Sequence, residues 1–257
     1  MKLSTIWGMT LKKEAALLSA LTLSISLSAA EAGTDSKDTV PEQQASKTAF
    51  WIKGNSKIDA GFSGGVDQEF RKLSWKFSFA TEQDLLTKTP DVYWFQNSAG
   101  NFSGQVWKKI REDVKNGAAV FFTGYFQIPL DKYFQDPSFA VKRKPIGKIA
   151  FEQRKVSKVH PGKWLNAPCG FENPIKNCIT PSYYYMPENP EAWTILAWMP
   201  ESSENNNPGV PMLMVRPFGK GFICVLSGYV ARIRSSFTSM LTENIFANRG
   251  EFFQQEK

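Results

Sequence analysis

The chain is poor in the residues that build most metal and nucleophilic sites. It contains a single histidine, His160, and only three cysteines. One imidazole cannot form a multi-histidine metal site, and no spaced set of histidine, cysteine and carboxylate residues surrounds it. The sequence also lacks a G-x-S-x-G nucleophile elbow and a phosphate-binding glycine loop. We therefore expect no metal, no other cofactor and an ordinary loop role for His160.

An apolar run long enough to cross a bilayer is missing as well. The N-terminal run, Ala15 to Leu27, is too short to span one as a stable helix. Lysines precede it and the small-x-small site Ala30-Glu31-Ala32 follows it, which is the pattern of a secretory signal. We predict residues 1–32 to be a signal peptide and the polar residues 33–48 to be a flexible leader. The mature protein is then secreted or periplasmic, with no transmembrane segment.

Positive charge exceeds negative charge, with 31 Lys and Arg against 24 Asp and Glu. The excess is spread along the chain. Its two tight clusters, Lys142-Arg143-Lys144 and Arg154-Lys155, lie in no aromatic-interleaved nucleic-acid motif, so we expect no nucleic-acid partner. A basic exported protein instead suits an acidic glycan or another anionic component of the cell envelope. No feature of the sequence predicts an oligomeric state.

The three cysteines divide into a loop pair and a core residue. Cys169 and Cys178 lie in one loop-rich stretch, and we predict a disulfide between them in an oxidising compartment. Cys224 lies within the apolar run Phe222 to Leu226, where a cysteine behaves as a small hydrophobic residue. We predict Cys224 to be free and buried.

The clearest structural pattern of the chain surrounds position 100. Val92 to Phe95 is apolar without alternation, as in a strand that is covered on both faces. Ser103 can cap a helix that continues to Asn116 and carries an apolar stripe at helical spacing. Gly117 follows as a left-handed C-cap, and a second apolar run begins at Ala118. Strand, helix and strand with short links predict one right-handed βαβ unit.

Strand and helix patterns alternate from Ala49 to Phe126, which favours an α/β fold. We predict a single flavodoxin-like or Rossmann-like domain over residues 49–250, with three layers and a mainly parallel central sheet. Residues 251–257 form a C-terminal tail. A hairpin around Gly219 and a helix that begins at Ser235 or Ser236 complete the domain. The apolar stripe predicted for this helix is Phe237, Met240, Leu241 and Ile245.

Residues 129–190 interrupt this alternation. Proline, asparagine, lysine and tyrosine dominate there, and a stretch this long is either a functional excursion or a set of short antiparallel strands. We predict strands of that kind at Lys148–Phe151 and at Tyr183–Met186.

Three segments follow one another in the chain, namely Asp91-Val92 with its helix and Asn116 to Val120, the step Asn173-Pro174-Ile175, and the hairpin Pro211 to Tyr229. In this order they resemble the class I glutamine-amidotransferase-like superfamily, and in particular its trehalose-utilisation (ThuA-like) branch. The hairpin is similar to the P-x-x-x-x-R-x-y-G-k-G-r-v pattern of that family. The resemblance spans roughly residues 49–247 and implies the fold more than the function.

The chain departs from this family where the family's chemistry lies. The amidotransferases carry a nucleophilic cysteine on the sharp turn after the strand that Ala118 to Phe122 matches. Here that turn reads Thr123-Gly124-Tyr125-Phe126, and Tyr229 stands where the ThuA-like branch commonly has a histidine. The thiolate chemistry of the family therefore does not carry over, and we predict no catalytic residue.

Polar and aromatic residues follow the predicted strands at the edge where open parallel sheets bind ligands. Amides, hydroxyls, aromatic rings and one arginine suit a sugar or a small anion. The same residue types also cap strands and turns, which is the alternative role for this set. Besides Gln96, the predicted ligand-binding residues are Asn97, Ser98, Thr123, Tyr125, Ser227, Tyr229 and Arg232.

Two functions fit these observations. The first is a secreted, non-catalytic module of the amidotransferase-like type that binds a glycan or another cell-surface ligand. The alternative is a secreted hydrolase that acts on glycans or glycoproteins through carboxylates, which spacing along the chain cannot place. The separation and burial of acidic side chains distinguish the two in a structure.

Export predicts a defined N-terminus for the mature protein. Mass spectrometry of the protein from its native host should find a chain that begins near Gly33, because cleavage follows small residues such as Ala32. A mature chain that retains Met1 or Met9 would contradict the predicted export.

Overall fold

The computed structural model describes eight segments of the chain, which are residues 46–52, 65–96, 102–123, 128–145, 158–170, 183–199, 209–227 and 235–253. The predicted signal peptide and most of the predicted leader lie outside these segments. So do six of the residues singled out in the sequence, namely Asn97, Ser98, Tyr125, Cys178, Tyr229 and Arg232.

Strands and helices alternate through the described segments. The strands are β1 (Thr48–Ile52), β2 (Lys76–Phe79), β3 (Val92–Gln96), β4 (Ala119–Thr123), β5 (Val141–Pro145), β6 (Lys158–Val159), β7 (Tyr183–Pro187), β8 (Thr194–Met199), β9 (Val210–Phe218) and β10 (Gly221–Leu226). The α-helices are α1 (Val66–Lys72), α2 (Glu82–Thr87), α3 (Gly104–Lys115), α4 (Leu130–Phe134) and α5 (Ser235–Ala247). Short 3-10 turns lie at Pro137–Phe139, Lys163–Leu165, Pro190–Ala192 and Arg249–Glu251.

Within the described segments, the central sheet has eight strands in the order β2-β1-β3-β4-β10-β9-β8-β6. The pairs from β2 to β10 are parallel, and those from β10 through β9 and β8 to β6 are antiparallel. The order β2-β1-β3-β4 is that of a flavodoxin-like, doubly wound sheet. The predicted fold class is therefore confirmed, with an antiparallel part added to a mainly parallel sheet.

The predicted excursion contains antiparallel strands as well as loops. β5 and β7 form a separate two-stranded ribbon, in which Val141 pairs with Pro187 and Pro145 with Tyr183. The strand predicted at Tyr183–Met186 is therefore present. The one predicted at Lys148–Phe151 lies outside the described residues.

The β3–α3–β4 unit forms as the sequence predicts. The Ser103 side chain caps α3 by accepting a hydrogen bond from the Val106 N–H at 3.5 Å. Gly117 follows the helix with a φ of +125°, in the region that favours glycine. β3 and β4 are buried along their whole length, because packed layers cover both faces of the sheet.

Aromatic rings stack across adjacent strands on the face of the sheet that α5 covers. Trp51 of β1 stacks on Trp94 of β3 with 5.3 Å between ring centroids, and Trp94 stacks on Phe121 of β4 at 4.8 Å. We call these three residues the aromatic ladder. The indole N–H of Trp51 donates to Gln96 Oε1 at 3.0 Å. That of Trp94 donates to Thr242 Oγ1 of α5 at 2.9 Å, so both indoles of the ladder are held by hydrogen bonds.

The last helix, α5, is buried on almost all sides rather than along one stripe. The predicted apolar stripe is correct for Phe237, Leu241 and Ile245, which pack in the same core cluster as the aromatic ladder. α1 and residues 158–170 also contact this helix, so its polar side is covered too. The buried polar residues of α5 are Thr238, Ser239, Thr242, Glu243 and Asn244.

Cys169 has a free thiol, so the predicted disulfide with Cys178 is not supported. The Cys169 N–H donates to Asn244 Oδ1 at 2.8 Å, and its carbonyl accepts from Asn244 Nδ2 at 2.9 Å. A side chain of α5, which the spacing of cysteines could not reveal, thus anchors this loop. Burial, followed by the nearby Glu243 carboxylate, raises the pKa of the Cys169 thiol. Cys224 is free and fully buried in β10, as predicted.

Gly221, at the start of β10, allows a close approach between the hairpin and the end of α3. A Cβ at this position would lie 2.0 Å from the carbonyl oxygen of Ala118 and 2.3 Å from that of Val114. We expect Gly221→Ala to lower the free energy of unfolding by about 1–3 kcal/mol, because the backbone must shift to relieve the overlap. Urea denaturation measures this loss.

Gly104→Ala is the matched control, because a Cβ at Gly104 meets no atom within 4 Å. Its free energy of unfolding should stay equal or rise slightly, since alanine favours a helix more than glycine does. Equal losses in the two variants would show that the close approach at Gly221 is not the cause.

Candidate functional site

Four parallel strands end side by side at one edge of the sheet, which we call the carboxyl edge. β1, β3, β4 and β10 end at Ile52, Gln96, Thr123 and Leu226. Gln96 pairs with Thr123, and Thr123 pairs with Leu226, so three of these ends are level with one another. In doubly wound sheets this edge binds ligands, because the strand order reverses there and leaves a crevice between the loops.

The structure brings Gln96 and Thr123 together on the α5 face of the carboxyl edge. Alternate residues of a strand point the same way, so these two side chains lie on the face that carries Trp94 and Phe121. Both are buried, with 0% of Gln96 and 3% of Thr123 exposed. They form the described centre of the candidate site.

Ser227 belongs to the opposite face of the sheet, because it comes directly after Leu226, which faces α5. Its hydroxyl oxygen accepts a hydrogen bond from the Tyr185 N–H of β7 at 3.1 Å. Its own N–H donates to the Met212 carbonyl of β9 at 2.6 Å. Ser227 therefore joins β10 to β7 and β9 and does not share a face with Thr123.

The other predicted ligand-binding residues, Asn97, Ser98, Tyr125, Tyr229 and Arg232, lie outside the described residues. In the sequence the first two follow β3, the third follows β4, and the last two follow β10. Their roles stay predictions.

The side-chain amide of Gln96 has a hydrogen-bond partner for its oxygen but none among the described residues for its nitrogen. Its Oε1 accepts from the Trp51 indole, which fixes the orientation of the side chain. Its Nε2 has no hydrogen-bond partner within the part of the chain that the structure describes. A buried donor without a partner costs about 1–3 kcal/mol, so a native structure retains one only where something compensates for it.

α5 runs from the carboxyl edge to the opposite, amino edge of the sheet. It follows β10 in the chain, and near its end Glu243 contacts Lys47 and Trp75, which precede β1 and β2. Thr238 lies one turn before Thr242 and is therefore one turn nearer the carboxyl edge. The Thr238 side chain is 1% exposed.

The two buried threonines of α5 differ in the hydrogen bonds that their hydroxyl groups form. Thr242 Oγ1 accepts from the Trp94 indole and donates to the Thr238 carbonyl at 2.7 Å. Thr238 Oγ1 has no hydrogen-bond partner among the described residues. The sequence did not indicate Thr238 as a site residue. A threonine between the apolar positions of a helix shows only which face of the helix is polar. Its spacing of four residues from Thr242 was the available signal.

Two carboxylates, the buried Glu243 and the half-buried Asp113, lie at the amino edge, where they accept hydrogen bonds from donors of the chain itself. Glu243 accepts from Lys47 Nζ at 2.5 and 2.6 Å and from the Trp75 indole at 2.6 Å. Asp113, at the end of α3, accepts from the Tyr93 hydroxyl at 2.5 Å. Burial, together with this hydrogen bond, raises the pKa of Tyr93. These acidic residues are engaged in holding the fold together.

His160 lies too far from Thr123 to act as its base. It follows β6, which is four strands away from β4, or about 19 Å at the usual strand spacing. The backbone N–H of His160 donates to the Leu196 carbonyl at 2.8 Å, so this residue extends the pairing of β6 with β8. No cluster of three or more histidine, cysteine or acidic residues suited to a metal ion occurs within the described segments.

The tyrosine run of β7 belongs to the core. Tyr184 and Tyr185 are buried, and the Arg143 guanidinium lies 4.5 Å from the ring centroid of Tyr183. Rings packed in this way offer no open platform for a sugar.

Among the described helices, none is long and apolar enough to cross a bilayer.

No protein-family model matches the sequence, and no curated protein matches it. Similar solved structures include a cytoplasmic protein from Salmonella typhimurium LT2, with 12% identity over 78% of this chain and 98% of that chain and a TM-score of 0.49. A ThuA-like protein from Parabacteroides merdae is 11% identical over 81% of this chain and 92% of that chain, with a TM-score of 0.47. A cold-adapted β-galactosidase from Rahnella sp. R3 is 12% identical over 80% of this chain and 31% of that chain, with a TM-score of 0.45. At these identities the likeness concerns the fold alone.

The two threonines of α5 provide a matched pair for a stability measurement. Thr242→Val should lower the free energy of unfolding by about 1–3 kcal/mol, because it leaves the Trp94 indole without an acceptor. Thr238→Val should cause no loss, because the hydroxyl that it removes has no partner in the described structure. Urea denaturation measures the free energy of unfolding of both variants. Threonine and valine have nearly equal helix propensities, so the helix itself contributes little to the difference. Equal losses would mean that the Thr238 hydroxyl has a hydrogen-bond partner in the ligand-free protein.

Proposed function

We propose that this protein is a secreted, non-catalytic module of the amidotransferase-like, ThuA-like type that binds a glycan or another cell-surface ligand at the carboxyl edge. Export rests on the N-terminal charge, apolar run and cleavage pattern of the sequence. The family type rests on the sequence resemblance, and the flavodoxin-like sheet order agrees with it.

The proposed site rests on one observation, which is that the amide nitrogen of Gln96 has no hydrogen-bond partner among the described residues. It is a fully buried donor at the carboxyl edge, next to Thr123 of the neighbouring strand. A hydroxyl or carbonyl oxygen of a ligand would accept from Nε2 and remove the cost of leaving it unpaired. The aromatic and polar residues predicted at the same strand ends, Tyr125, Tyr229 and Arg232, would supply stacking and further hydrogen bonds.

The lack of catalysis is proposed from the chemistry of Thr123. This residue stands at the end of the strand where the resembling family continues into its cysteine turn. A threonine hydroxyl needs an adjacent base to react at neutral pH, and His160 is four strands away. Cys224 is enclosed within β10, where burial raises the pKa of its thiol well above the usual value.

The hydrolase alternative gains no support from the described carboxylates. A glycosidase needs two carboxyl groups that face one another across a cleft. Glu243, Asp113 and Asp91 lie at the amino edge, and each accepts hydrogen bonds from donors of the fold. Hydrolysis therefore enters only as an outcome that the binding experiment monitors.

A glycan and peptide binding screen on the purified protein, with product release monitored in parallel, tests this proposal. The ligand that it identifies should bind Tyr125→Ala, Tyr229→Ala and Arg232→Ala a few-fold to about tenfold more weakly, because each variant loses one contact worth about 0.5–1.5 kcal/mol. Lys72→Ala, which changes an exposed side chain of α1, is the control and should bind normally.

Two results would overturn the proposal. Unchanged affinity in all three variants would place the binding site elsewhere. A measurable turnover that Thr123→Ala abolishes would show that the protein is an enzyme.

A further inference from the structure

We propose that the carboxyl edge recognises the carboxylate group of an acidic sugar, held between Gln96, Thr238 and the first turn of α5. This inference rests on the proposed function, since it names the chemical class of the ligand for the same edge of the sheet. It adds Thr238 and the helix terminus, which the sequence did not indicate.

The first step is the position of Thr238 relative to Gln96. The bond between the Trp94 indole and Thr242 aligns the middle of β3 with α5. From Trp94 to Gln96 the strand advances about 6.6 Å toward the carboxyl edge. From Thr242 back to Thr238 the helix advances about 6 Å in the same direction. Gln96 and Thr238 therefore lie at the same level of the interface between β3 and α5.

The second step is the contrast along this interface. The Trp94 indole and Thr242 Oγ1, at the inner level, are both hydrogen-bonded. Gln96 Nε2 and Thr238 Oγ1, at the outer level, are both buried and have no partner among the described residues. They do not bond to one another, although an amide and a hydroxyl in contact would do so. An occupant that bonds to both groups explains why two buried polar side chains stand unpaired at one level.

The third step is the charge of that occupant. The amide nitrogen of Gln96 can only donate, so it requires an acceptor atom. Thr238 lies in the first turn of a thirteen-residue helix, whose N-terminal dipole stabilises negative charge. The acidic residue of α5, Glu243, lies five residues from Thr238, toward the amino edge, and is bound to Lys47, so it does not oppose an anion here. The excess of basic residues in the chain also favours an acidic ligand.

The fourth step is the shape of the group. A carboxylate presents two oxygens in one plane, one for the Gln96 amide and one for the Thr238 hydroxyl. A neutral sugar hydroxyl can also bond to both groups, but it carries no charge and would gain nothing from the helix terminus. The observations thus favour a uronic acid over a neutral hexose.

The experiment uses D-glucuronate as the probe and D-glucose as its neutral match. Each is titrated into the 15N-labelled protein while the side-chain amide signal of Gln96 is followed by NMR, the signal being assigned as the one missing from Gln96→Leu. We expect a saturable shift with D-glucuronate and none with D-glucose at the same concentrations. Thr238→Val should weaken D-glucuronate binding about tenfold, because it removes a hydrogen bond to a charged group.

Gln83→Leu, an exposed glutamine of α2, is the matched control and should bind D-glucuronate as the unchanged protein does. Equal shifts with both sugars would overturn the carboxylate inference while leaving a glycan site at this edge in place. No shift of the Gln96 signal with either sugar would mean that a buried water alone fills the position, which also overturns the inference. The glycan screen with the Tyr125 and Tyr229 variants would then judge the proposed function separately.

Discussion

Trp51 and Trp94 stack across β1 and β3, and each brings an indole N–H into an interior where it must find an acceptor. Meeting that requirement places polar atoms inside the sheet-to-helix interface. Gln96 Oε1 and Thr242 Oγ1 supply them. Gln96 is consequently oriented by a neighbouring strand through its amide oxygen, while its amide nitrogen has no hydrogen-bond partner in the described structure. The polar character of the carboxyl edge thus follows from the packing of two tryptophans.

The two edges of the sheet differ in how far their polar side chains are hydrogen-bonded. At the amino edge, charged side chains are matched with donors from other elements, as in the contacts of Glu243 with Lys47 and Trp75. Breaking such a matched set leaves a buried charge unpaired, so this edge tolerates little change. At the carboxyl edge, Gln96 and Thr238 keep unused hydrogen-bonding capacity. The carboxyl edge is therefore where we propose that a ligand binds.

Local patterns were sufficient to predict the β3–α3–β4 unit, because its strands, its Ser103 cap and its Gly117 terminus each depend on residues close in sequence. The face on which Ser227 lies became clear only from the packing of Leu226 in the structure, and its bond to Tyr185 depends on the distant β7. The sequence therefore located the carboxyl edge without showing which of its residues share a face.

Burial of the polar side of α5 was not predictable from periodicity. A helical stripe at Phe237, Leu241 and Ile245 indicates one packed face, and the covering of the other face by α1 and residues 158–170 is a tertiary event. The same limit applied to Cys169. Its loop is held by Asn244, a residue 75 positions away, rather than by the nearby cysteine that composition suggested.

The pairing of Lys47 with Glu243 spans 196 positions and has a consequence for the order of assembly. α5 covers the aromatic ladder, and its Thr242 accepts a hydrogen bond from the Trp94 indole, so the core on that face cannot close before α5 has been synthesised. Contacts of such long range slow folding, because a large loop must close before any of them forms. The aromatic ladder of a nascent chain therefore stays uncovered until α5 has emerged. That dependence makes α5 as indispensable to the closed core as β1.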